Sequence, residues 1–167
     1  MSFEMHIISV AQRKVSQFRH DLSITVENEI DHKEEYVSRY FEIWPTMCRT
    51  EGIWYELTVY DGIDSAVPIC GFYPDISPGL LPIPKWVTDL PTIESLTPIY
   101  IKDPFNEEFK EILECLINES PQKKVLFHAR YQCPDTEIMM EVMTLEEFYS
   151  NLENKKILFN ACYTIKA

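Results

Sequence analysis

Acidic side chains interleaved with aromatic rings are the residues here best suited to chemistry, and that chemistry is the capture of cations. Trp54, Tyr60, Asp61, Asp64, Tyr73 and Asp75 fall within one short stretch. Carboxylates accept charge-assisted hydrogen bonds from Lys and Arg, while Tyr and Trp faces hold guanidinium planes. The same stretch also suits an ordinary β-turn whose turn formers face solvent. Glu107, Glu108, Glu111 and Glu114 form a second group, spaced three or four residues apart with Lys110 as the one base among them. Like charges at this spacing cost a helix roughly a few tenths of a kcal/mol each, partly offset near its N-terminus. A solvated helix face is the plain alternative.

What raises both groups above that alternative is the distribution of charge. The 167 residues carry a net charge of −12. Residues 21–101 hold four bases against fourteen acids, a net of −10, whereas residues 1–20 are at +2 and residues 102–167 at −4. A field of this sign disfavours nucleic acid and anionic membranes and favours encounter with a basic protein.

Other chemistries find little support. The best nucleophile–base pairing is Cys133 with His128, and there is no G-x-S-x-G elbow and no phosphate-binding glycine loop. The four histidines make no i,i+4 pair with one another or with cysteine, and Asp61-Gly62-Ile63-Asp64 is too short for an EF-hand loop, so neither metal nor cofactor is expected. Five scattered cysteines without a C-x-x-C pair argue against a disulfide framework or zinc ribbon. The N-terminus does not read as a signal peptide, and no apolar run reaches the roughly 18 residues of a membrane span, so a cytoplasmic protein is expected.

The elements that must position these groups can be read from periodicity. Strands are expected at Phe3–Val10 and around Leu22, Ile24 and Val26. Alternation marks another at Ile53–Val59, with Ala66–Phe72 as its hairpin partner across Asp61-Gly62. Asp31 and Glu34 open a helix that ends at Pro45. Residues 68–104 contain eight of the eleven prolines along with many apolar residues, which reads as a long Pro-rich loop packed on the domain surface. Asp103-Pro104 then starts a helix, with Asp103 as N-cap and an apolar stripe of Phe105, Phe109, Ile112, Leu113 and Leu116. Lys124–Arg130 and Glu137–Met143 are strands. Thr144 and Glu147 make a capping box for a short helix through Asn154, and Lys156–Ile165 closes the chain as a strand. The sum is one α+β domain over 1–167, with a largely antiparallel or mixed sheet and about three helices packed on it.

Within the C-terminal third, Ser120-Pro121, Phe127-x-x-Arg130-Tyr131-Gln132, Leu145-x-x-Phe148-Tyr149 and Ile157-x-Phe159-Asn160-x-Cys162-Tyr163 form a familiar run. Over residues 120–163 this run resembles the immunity proteins of bacterial polymorphic toxin systems. The resemblance implies a small cytosolic protein that binds and neutralises a cognate toxin, and it does not assign the contact residues. Charge and resemblance together point to a non-enzymatic inhibitor that covers the active surface of a basic toxin, such as a nuclease. The alternatives are a small hydrolase using dispersed carboxylates and a general protein–protein adaptor.

Overall fold

In the computed structural model, residues 3–9, 21–29, 53–60, 62–63, 65–73, 96–131 and 138–167 are described. The helix expected at 31–45 and most of the Pro-rich segment, 74–95, lie outside them.

A mixed sheet organises the chain. Its path is β2 (Thr25–Glu29), β3 (Ile53–Tyr60), β1 (Phe3–Ser9), β7 (Lys124–Tyr131), β9 (Ala161–Lys166) and β8 (Ile138–Thr144). β4 (Ala66–Pro68) also pairs with β3. Thr58 registers with Thr25 of β2 and with Pro68 of β4, so these two short strands flank β3 on opposite edges and β4 continues the line of β1. All ladders are antiparallel except β8–β9. A parallel pair needs a crossover connection, and here residues 145–160 supply it, including the helix α2 (Leu145–Glu153).

Odd-numbered residues of the central strands share one face. Met5, Ile7, Tyr55, Leu57, Val125, Phe127, Ala129, Tyr163 and Ile165 are buried there. The helix α1 (Asn106–Glu119) lays Phe109, Ile112, Leu113, Leu116 and Ile117 on this face; of the expected stripe, Phe105 is the N-cap and only partly buried, and Ile117 is added. Phe127 is the hub, with ring centroids 6.0 Å from Phe109 and 5.1 Å from Phe148 of α2. Burying a Phe in such a cluster stabilises by roughly 1.5–3 kcal/mol. The opposite face is closed as well, with Ile8, Leu126 and Cys162 fully buried.

Several boundaries differ from those the sequence implies. The stretch 66–72 divides: β4 stays with β3, while β5 (Cys70–Phe72) leaves to pair with β6 (Ile99–Ile101) in a separate two-stranded sheet. Tyr73 N–H donates to the Pro98 carbonyl and Lys102 N–H to that of Ile69, so both ends of the Pro-rich segment are stitched together. Gly71 lets the end of the Tyr100 ring lie close over the backbone, since a Cβ would meet it at 2.6 Å and the ring would have to shift. α1 begins at Asn106 with Phe105 as N-cap and no side-chain cap, since Asp103 accepts from Asn106 Nδ2 instead of from a backbone N–H. The last strand starts at Ala161. Before it, Ile99 N–H donates to Ile157 and Phe159 N–H to Thr97, so residues 157–159 bridge to the 97–99 region. Two helices are present among the described residues, where about three were expected.

Candidate partner-binding surface

The hairpin of β3 and β4 ends in the most exposed apolar side chains described: Tyr60 is 71% and Ile63 81% exposed. Their exposure follows from the turn, where Gly62 adopts φ 84°, the left-handed region that side chains disfavour. Asp61, Asp64 and Asp75 lie outside the described residues. Trp54 is placed on β3, in register with Ile8 of β1 and Glu29 of β2.

Tyr73 takes a different position from the hairpin tip. Its ring lies 4.9 Å from that of Tyr100 and carries Lys155 Nζ 4.6 Å from its centroid. Lys155 reaches it because it follows the α2 C-cap, Asn154, in the left-handed region at φ 58°. The cation-binding face that the sequence offers is therefore filled from within the chain.

The four glutamates of α1 divide in the same way. Glu107, Glu111 and Glu114 are exposed, with Glu107 ion-paired to Lys110 at 3.3 Å. Glu108 turns inward instead. Its Oε2 accepts from Ser23 N–H at 2.7 Å and Ile24 N–H at 2.9 Å, fastening the first turn of α1 to the segment that enters β2. Thr25, next along, registers with Thr58, and Tyr60 is two residues further. The first turn of α1 and the hairpin tip thus lie toward one end of the sheet. Lys102, at the same end, donates Nζ to the Pro68 carbonyl at 2.8 Å. Tyr149 of α2 closes the lower part of α1, donating its hydroxyl to the Lys110 carbonyl at 3.3 Å. Burial, with the charges of Glu114 and Glu107, pushes its phenol well above the usual range.

A row of side chains crosses the middle of the second face, and His6, His128 and Cys162 in it are buried. By register, Glu27, Glu56, His6, His128, Cys162 and Met139 follow one another across six strands. His6 Nδ1 and His128 Nε2 are 3.0 Å apart, and both rings are buried. A neutral pair at this distance shares one proton, donated by one ring and accepted by the other. Neither histidine carries a sequence signal, because 122 residues separate them and only the β1–β7 register joins them. Cys133, the nucleophile nearest to His128 in sequence, lies outside the described residues. Two other thiols are poor nucleophiles: burial pushes Cys70 up to about 12, and burial with Glu119 and Glu111 raises Cys115.

Among the described residues, no three His, Cys, Asp or Glu side chains form a metal-holding group, and no helix is long and apolar enough to cross a membrane. In comparisons with known proteins, the chain matches no family model, no curated protein and no solved structure.

Proposed function

We propose that this protein is a non-enzymatic inhibitory binding protein, an immunity protein that neutralises a basic bacterial toxin, such as a nuclease, by covering its active surface. The observation that carries this reading is the exposure of Tyr60 and Ile63 at the tip of the β3–β4 hairpin, within a stretch of sequence rich in acids. Aromatic and aliphatic anchors supply affinity once desolvated, while surrounding charges guide the encounter and select the partner. The distribution of charge supports the same reading, since residues 21–101, which contain the hairpin, carry a net charge of −10.

The test is co-expression with the C-terminal domain of a secreted toxin encoded beside this chain. The two should co-purify and the cell should survive. Reversing three outward charges together (Glu107→Lys, Glu111→Lys and Glu114→Lys) should weaken the complex at least about tenfold, as expected where close charge pairs are lost. A complex of undiminished affinity would contradict the placement of the partner on this end of the sheet.

A further inference from the structure

Among the described residues, β2 and β8 end the path of the sheet, and β4 pairs only with β3. Exposed edges invite pairing with another chain, and proteins guard them with short strands, charges, prolines or bulges. β2 is five residues long and carries Glu27 and Glu29. β8 is seven residues long, with one charge, no proline and no lysine in Ile-Met-Met-Glu-Val-Met-Thr. A bulge between Met139 and Val142 interrupts its ladder with β9, so the first half of the strand is protected by irregularity. The bulge does not reach Val142 and Met143, and Val142 is 49% exposed, whereas the Thr144 N–H is already held by Glu147. Among the described residues, β9 is the only strand that pairs with β8.

A groove of about 470 Å³ lies along this segment, lined by Val142, Met143, Glu146, Glu147, Ser150 and Asn151. Val142 registers with Thr164 and Met143 with Ile165, whose side chains lie on opposite faces of the sheet. A groove that touches both residues runs along the outer edge of the strand itself. Its other wall is α2, where Glu146 and Ser150, and Glu147 and Asn151, stack one turn apart. Asn151 Nδ2 lies 3.8 Å from Met143 Sδ and holds the two walls together. Glu147 is occupied by the Thr144 cap, which leaves Glu146 as the outward carboxylate of the groove.

We propose that the outer edge of β8, with the α2 wall, receives an extended segment of the basic partner, which adds to the sheet as a further strand. This deepens the proposed function and rests on it. Backbone hydrogen bonding along Val142 and Met143 gives the segment its register, an apolar side chain covers Val142, and a Lys or Arg one step along meets Glu146. Methionine at position 143 suits such an edge, since its flexible thioether adapts to different side chains. A second copy of this chain is a poorer occupant. At −12 per chain, self-pairing would bring like charges and two copies of Glu146 together.

The test titrates the full-length protein with a fluorescein-labelled decapeptide of alternating Lys and Val, and with its Glu and Val counterpart, while following backbone amide NMR signals. The cationic peptide should shift signals over residues 142–151. Val142→Lys, which guards the edge, and Glu146→Lys, which reverses the wall, should each weaken it at least about tenfold with the thermal midpoint unchanged. Shifts confined to the hairpin tip and α1 would overturn the proposal and leave the basic-partner reading standing. Equal or tighter binding of the acidic peptide would overturn both. A dimer in sedimentation that Val142→Lys dissociates would assign the edge to a second copy and likewise overturn the proposal.

Discussion

Glu107 and Glu108 are neighbours with opposite roles, and the difference can be measured. Glu107 holds a solvent-exposed pair with Lys110, of the kind worth about 0.5 kcal/mol or less. Glu108 receives two backbone N–H groups, and hydrogen bonds to a charged acceptor contribute about 1.5–3 kcal/mol in favourable settings. With Ser23 exposed, about 2 kcal/mol is the expected loss for Glu108→Ala in urea denaturation, against less than about 0.5 for Glu107→Ala. Equal losses would remove the clamp from the account. At this scale the sequence shows acids in a row and cannot show which one faces inward. That is decided by where residues 23–24 pass the helix, a contact 84 or 85 residues away along the chain.

The second helix illustrates what an element reveals of itself. Thr144 accepts from Glu147 N–H while Glu147 Oε2 accepts from Thr144 N–H, the reciprocal cap that four residues of sequence announce. The backbone hydrogen bond from Thr144, then its hydroxyl, lowers the Glu147 carboxyl below its ordinary value. A carboxyl whose folded pKa is depressed adds stability above its unfolded pKa and loses it as pH falls through the folded one. The stability gap between the parent chain and Glu147→Gln should therefore be present at pH 7 and shrink below about pH 4, where carboxyls protonate. A gap constant down to pH 3 would assign the effect to packing. Local signals such as this cap and the α1 stripe were legible because their partners are three or four residues apart. The separation of β5 from β4 was not, because the pull of Ile99–Ile101 on Cys70–Phe72 is a tertiary choice. Likewise, Asp103-Pro104 reads as a helix start until Asp103 spends its oxygen on Asn106 Nδ2.

Across the described residues, four lysines are already engaged within the chain. Lys110 is paired with Glu107, Lys102 is held by the Pro68 carbonyl, Lys155 lies over Tyr73, and Lys123 Nζ donates to the Asn118 carbonyl. The α+β class was readable from the order of periodic segments, and the acidic bias from composition alone. The sheet order was not, nor was the row joining Glu56, His6, His128 and Cys162, because register is fixed by packing on both faces of the sheet. The Tyr73 face, which composition offered to a partner, already holds Lys155, so candidate anchors narrow to Tyr60 and Ile63.

Capture of a basic partner by this acidic chain makes the association rate depend on salt. In stopped-flow mixing with the neighbour-encoded domain, the rate constant should fall at least about tenfold between 10 mM and 300 mM NaCl, as screening shortens the reach of the charges. The dissociation rate, set by anchors such as Tyr60, should change far less. An association rate indifferent to salt would contradict the account.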